Sequence, residues 1–167
     1  MKIWLTTDTH FGHKQMLEYC GRPEDFSEIL LKNLLSTVKQ DDILIHLGDI
    51  CIGNDVMWHE KLMEIKGKHW LVKGNHDSKS NTWYLEHGWD MVCEQFSDRY
   101  FGKRILFSHK PVAWDGEYEI NIHGHFHNSN PNRHEQELVA IKNGYQKLLA
   151  VEYTDYKPVE LKKFIRR

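Results

Sequence analysis

A chain of 167 residues is long enough for one domain that buries a hydrophobic core without disulfide support. Its 40% hydrophobic and 28% charged residues exclude a disordered chain, and no apolar run reaches the ~18 residues of a membrane span. A formal charge of −2 argues against a broad duplex-binding surface, which needs clustered lysine and arginine. The unusual total is histidine, at 12 residues, because imidazole is the commonest metal ligand.

The opening MKIWLTTD enters a strand-like pattern directly and lacks the features of a signal peptide. Cys20, Cys51 and Cys93 are far apart and form no CxxC, as expected of reduced thiols in a cytoplasmic protein. A first strand is predicted over 3–7, ending at Asp8-Thr9-His10. Asp25 and Glu28 suggest a capping box for a helix carrying Leu30, Leu34 and Val38 on one face. A strand over 43–47 runs into Gly48-Asp49, and a second helix begins after Asn54, with Trp58, Leu62 and Ile65 at helical spacing and Gly67 as its stop. The strand over 70–73 leads into Gly74-Asn75-His76-Asp77, and a short helix spans 80–87. Strands over 91–96, 104–108 and 119–123 follow; the second ends at His109 and the third in His123-Gly124-His125-Phe126-His127. Residues 128–133 read as a polar loop beside the site, 148–153 as a last strand, and Pro158 as the opening of a final helix whose basic end is a solvated face. Early strand–helix alternation followed by consecutive strands predicts an α/β layered sandwich of two mixed β-sheets flanked by helices, in one domain spanning 1–167.

In open α/β sheets the carboxyl ends of the strands converge on one edge, where ligands bind. Five separate segments here deliver Asp, His, Asn and further His to that edge. Each piece alone is ordinary: Gly-Asp is a common turn, and Asn and Asp favour turns in general. Three imidazoles within the five residues 123–127 are less ordinary, because they repel when protonated and a bound cation gives them a reason to stay neutral and adjacent.

The order DxH, GD, GNHD, a lone strand-end His and GHxH resembles the calcineurin-like metallophosphoesterase superfamily. TTDTHFGHKQM, Arg22-Pro23 and VEYTDYKPVEL are similar to its small single-domain bacterial and phage members. The resemblance implies two divalent metal ions, one held by Asp8, His10, Asp49 and His127 and the other by Asp49, Asn75, His109 and His125, with Asp49 shared. A mixed oxygen and nitrogen donor set without thiolate suits Mn²⁺ foremost, and Fe²⁺, Co²⁺, Ni²⁺ or Zn²⁺ otherwise. The implied activity is hydrolysis of a phosphodiester or phosphomonoester by in-line attack of a hydroxide held between the ions. His76 is expected to stabilise the transition state or protonate the leaving oxygen, with Asp77 orienting its imidazole.

His13, Arg22 and His123 are candidate substrate contacts, Arg22 as a bidentate phosphate clamp; a surface or capping His, a surface Arg and a core His are the alternatives. His46 within its apolar strand reads as a hydrogen-bonded core residue. The sequence Gly48-Asp49-Ile50-Cys51-Ile52-Gly53 departs from the GDxxDRG pattern of protein Ser/Thr phosphatases. The expected partner is a small phosphate ester, a nucleotide or a short single-stranded nucleic acid, with no membrane and no dedicated protein partner inferred. A catalytically silent scaffold of the same fold, or a nucleotide-binding sensor, is the competing reading.

Overall fold

The computed structural model describes residues 1–129 and 144–166. Four strands, β1 (Ile3–Thr6), β2 (Ile43–His46), β3 (Lys68–Val72) and β4 (Met91–Cys93), run parallel, and β9 (Val159–Glu160) adds antiparallel to β1, so the first sheet reads β4-β3-β2-β1-β9. The second sheet reads β5-β6-β7-β8, from β5 (Gln95–Tyr100), β6 (Lys103–Ser108), β7 (Ile120–His123) and β8 (Gln146–Leu148); β5 pairs antiparallel and the others parallel. Helices α1 (Met16–Cys20), α2 (Phe26–Thr37), α3 (Asp55–Leu62), α4 (Asn81–Glu86) and α5 (Leu161–Phe164) complete the α/β sandwich of two mixed sheets. Among the described residues no helix is long and apolar enough to cross a membrane.

Strand alternation builds two cores at once. From β2 and the residue after it, Ile43, Ile45 and Leu47 enter the layer between the sheets, with Leu5, Ile105, Phe107 and Ile122. Leu44 points the other way, into the layer that Leu30, Leu34, Trp58 and Leu62 of α2 and α3 close. Each such fully buried aliphatic side chain contributes about 1.5–3 kcal/mol relative to leaving it in water.

Several boundaries differ from the sequence expectation. The expected strand over 91–96 breaks at Glu94, because β4 completes the first sheet and β5 opens the second. Pro158 precedes β9 instead of a helix, and α5 starts at Leu161. The region 148–153 divides into the end of β8 and a 3-10 turn at Val151–Tyr153. Asp25 occupies the N-cap of α2 without a side-chain capping bond, so the capping box does not form. By contrast, Asn54 and Ser80 cap α3 and α4 by accepting from Met57 N and Trp83 N. Helix α1, too short to show periodicity, ends at Gly21, whose φ of 65° suits glycine and turns Arg22 inward.

His46 shows how the strand ends are registered. The Gly48 N–H donates to its Nδ1 (3.1 Å), so its proton sits on Nε2, which donates to Thr9 Oγ1 (2.9 Å). The Thr9 hydroxyl in turn donates to Ile50 O (2.8 Å), tying the turn after β1 to the turn after β2. Burial holds the His46 pKa down to about 3, with His59 adding to the effect. The unfolded chain takes up a proton near pH 6.5 that the folded protein refuses, so stability is full above that pH and declines as pH falls toward 3. His46→Leu is expected to destabilise the protein at pH 7 by about 1–3 kcal/mol, by leaving the Gly48 amide without its acceptor. The deficit should shrink at pH 5, where only the wild type carries the His46 penalty; urea denaturation at both pH values measures it.

Candidate metal centre

Beyond their strands the chains after β1 and β2 continue side by side, with Asp8 N donating to Gly48 O (2.8 Å), His10 N to Asp49 O (3.0 Å) and Phe11 N to Ile50 O (2.9 Å). Asp8 (φ 47°), His10 (45°), Asp49 (57°), His125 (70°) and His127 (51°) all adopt left-handed backbone conformations. Such conformations are costly for side-chain-bearing residues and persist where the surroundings over-determine them, which they do most often at functional sites. The motif glycines permit the close approach. A Cβ on Gly74 would strike the Asp49 carboxylate and lie 2.5 Å from Asp49 N; one on Gly124 would collide with the Thr7 hydroxyl and the Asp8 carboxylate.

Two clusters result, each with ligand-capable atoms within 4.8 Å of one another: Asp8, His10 and His127, and Asp49, His109 and His125. Asp49 Oδ2 lies between them, 3.6 Å from His10 Nε2 and 3.3 Å from His109 Nε2. Asn75 joins the second cluster through its Oδ1, 3.1 Å from His109 Nε2. His125 Nδ1 sits 3.2 Å from that same His109 nitrogen. Among the described residues, the buried Asp8 Oδ1 and both ring nitrogens of His10 have no hydrogen-bond partner. Orphaned carboxylate and imidazole atoms converging in one buried place fit a cation, and the donor set is one that divalent transition metals accept.

The electrostatics point the same way. Burial drives the His10 pKa down to about 2, against the pull of Asp49, so its imidazole is neutral and able to ligate. Burial also opposes charge on His109 and His127, but hydrogen bonds and nearby carboxylates outweigh it and raise them to about 9 and about 10. Asp49, despite its burial, is held well below the usual carboxylate range by His109 and the His76 amide. The carboxylates thus favour positive charge where the imidazoles meet. A third group, Cys20, His127 and Glu152, is also compact, but the Arg22 guanidinium already supplies the cation there, 2.7 Å from Glu152 Oε1.

The sequence profile of the calcineurin-like phosphoesterases matches residues 1–159. The chain belongs to this family. An uncharacterised protein of Methanocaldococcus jannaschii is 31% identical to this chain, the match covering 96% of the present chain and 87% of the relative. The gene 66 protein of Mycobacterium phage L5 is 30% identical over 74% and 76% of the two chains. A crystal structure of an Aquifex aeolicus protein of unknown function superposes with a TM-score of 0.77, covering 99% and 98% of the two chains at 25% identity. Family membership supports metal-dependent hydrolysis of a phosphate ester as the activity class.

The candidate metal centre opens on a cavity of about 270 Å³ lined by His10, His13, Tyr19, Asn75, His76 and His127, among others. The His76 side chain is 44% exposed there and 4.0 Å from Asp49 Oδ2, while its backbone amide donates to Asp49 Oδ1 (2.8 Å). His13 also reaches the cavity, its ring 5.4 Å from that of His10.

Three expectations change. Asp77 does not orient the His76 imidazole: both its oxygens accept backbone amides, from Asp49 (2.7 Å), Ile50 (3.0 Å) and Gly74 (2.8 Å), binding the GD turn to the GNHD turn. Burial pushes the Asp77 carboxyl up in pKa, against three donors that favour the carboxylate. Arg22 is no phosphate clamp, since its buried guanidinium is committed to Asp8 O, Thr9 O and Glu152. His123 is only 1% exposed, with Nδ1 against Gly124 O (2.9 Å) and its ring on Phe126, which makes it a packed support and not a substrate contact. Residues 130–133 of the expected substrate loop lie outside the described residues. The residue that sequence reasoning missed is Glu152; its signals are an acid directly after the apolar Leu148-Leu149-Ala150-Val151 and its place in the VEYTDYKPVEL stretch.

Gly124→Ala tests the close approach. It is expected to cost about 1–3 kcal/mol of stability through overpacking. By displacing the Asp8 carboxylate it should also weaken Mn²⁺ binding at the Asp8 cluster, which titration calorimetry on metal-stripped protein measures.

Proposed function

We propose that this phosphoesterase hydrolyses a small, nucleotide-like phosphodiester or phosphomonoester at a dinuclear centre. Asp8, His10, Asp49 and His127 would hold one ion, and Asp49, Asn75, His109 and His125 the other, with manganese as the proposed metal among the divalent ions this oxygen and nitrogen donor set accepts. The observation that carries this reading is the position of Asp49 Oδ2, within 3.6 Å of an imidazole from each cluster, on the wall of an open cavity. The chemistry supplied by two bound divalent ions is activation of water and neutralisation of phosphoryl charge.

The chain's own residues supply the rest. The Asp49 carboxylate is held by the His76 amide, so its second oxygen stays turned toward both clusters. In the reaction water adds its oxygen to phosphorus, the ester P–O bond breaks, and the departing oxygen needs a proton. The half-exposed His76 ring stands at the cavity beside His10 and His13 and is the group positioned to donate it. His13 and Tyr19 form the adjoining wall, where a substituent of the ester would rest.

Hydrolysis of bis(p-nitrophenyl) phosphate and p-nitrophenyl phosphate is expected with Mn²⁺, to vanish after EDTA treatment and to return on adding Mn²⁺. If Mn²⁺ binds but neither ester nor a panel of cyclic nucleotides, nucleoside monophosphates and short oligonucleotides is turned over, the enzyme reading fails in favour of a scaffold or sensor. His76→Ala should keep metal binding and lose roughly 10²–10⁴-fold in turnover. A wild-type rate in that variant removes the role given to His76.

A further inference from the structure

We propose that Glu152 is a positioning residue for the metal ligand His127, and that Arg22 locks the pair to the Asp8–His10 turn. This rests on the dinuclear reading above and assigns a function to the C-terminal segment, which lies outside all five motifs.

Arg22 Nε donates to Glu152 Oε1 (2.9 Å), and its Nη1 to Thr9 O (2.9 Å). Both hydrogens of Nη2 are taken, one by Asp8 O and one by Glu152 Oε1, each at 2.7 Å. The 3.4 Å approach of Nη2 to His127 Nδ1 is the longest of its three contacts and shares a hydrogen already given to a shorter one. The carboxylate oxygen of Glu152 lies 3.3 Å from His127 Nδ1, with the Cys20 thiol in the same group. A carboxylate oxygen can only accept, so its contact favours the tautomer with the proton on Nδ1. In the neutral ring that metal ligation requires, the lone pair is then on Nε2, which lies 3.5 Å from Asp8 Oδ1, and the His127 ring centroid is 5.0 Å from that of His10. A carboxylate behind a ligating imidazole sets its tautomer, fixes its plane and raises its basicity.

One guanidinium thus registers every member of the first cluster. It grips the carbonyls of Asp8 and Thr9, whose turn presents Asp8 and His10, and through Glu152 it orients His127. The 3-10 turn at Val151–Tyr153 brings Glu152 to this place, and the inward turn at Gly21 brings Arg22 to meet it. Both side chains are buried, with 0% and 4% exposure for Arg22 and Glu152, so neither can act directly on a substrate in the cavity.

The test is Mn²⁺ titration of the metal-stripped full chain by calorimetry, with circular dichroism to check folding. The wild type should bind two ions, and Glu152→Ala should weaken one of them by about 10–100-fold while leaving the other unchanged. Glu152→Gln, which keeps an oxygen toward Arg22 and His127, should give an intermediate loss. In a His127→Ala background, Glu152→Ala should add no further loss, because the ring it acts through is gone. Wild-type affinity for both ions in Glu152→Ala, or an equal loss with and without His127, overturns the proposal. Should Glu152→Ala fail to fold, the same comparison is made with Glu152→Gln, whose loss must likewise disappear in the His127→Ala background. Wild-type protein that binds no Mn²⁺ sinks the dinuclear reading itself, whereas two ions bound equally by wild type and Glu152 variants sink only the role of Glu152.

Discussion

Two carboxylates, those of Asp8 and Asp49, are carried almost completely out of water and set among imidazoles at the point where the two sheets meet. An isolated buried carboxylate costs several kcal/mol or more, so such groups survive only when paired, hydrogen-bonded or bound to a cation. Asp8 Oδ2 accepts from the Thr7 hydroxyl (2.6 Å) and the His125 amide (3.0 Å), and Asp49 Oδ1 from the His76 amide. Their second oxygens are turned toward the histidines. This division, one oxygen fixed by the protein and one presented, organises the rest of the site.

Holding that arrangement requires backbone that side-chain-bearing residues adopt reluctantly. The left-handed turns at Asp8, His10, Asp49, His125 and His127 are sustained by a lattice of hydrogen bonds: Asp77 clasps the GD and GNHD turns together, and the His46–Thr9 chain ties the GD turn to the turn after β1. The glycines of the GD, GNHD and GHxH motifs belong to the same device, because each sits where a β-carbon would collide with the neighbouring turn. The motif glycines are therefore part of the metal-binding geometry as much as the ligands are.

Arg22 illustrates how a charge near a phosphate site can be misassigned from composition. A guanidinium suits phosphate, and the residue lies close in sequence to the first motif. In the folded protein its guanidinium faces inward and makes four hydrogen bonds to two carbonyls and a carboxylate from the far end of the chain. The cation that would have been counted toward substrate binding is instead neutralised by Glu152, leaving His13, Tyr19 and His76 to shape the described part of the cavity.

The sequence alone determined which strands deliver polar residues, because apolar runs ending in Asp, Asn or His with adjacent glycine are local patterns and strand ends in such sheets share an edge. It likewise determined the family and the layered fold, since both are carried by short motifs and by the period of the apolar residues. Only the tertiary structure decided that Asp77 faces amides instead of an imidazole, that His123 is a support, that Arg22 turns inward, and that Glu152 reaches His127 across 25 residues of sequence. The reason is physical: a motif specifies which atoms are available, whereas the partner a buried donor or acceptor takes depends on which distant segment packs against it, and no local periodicity records that.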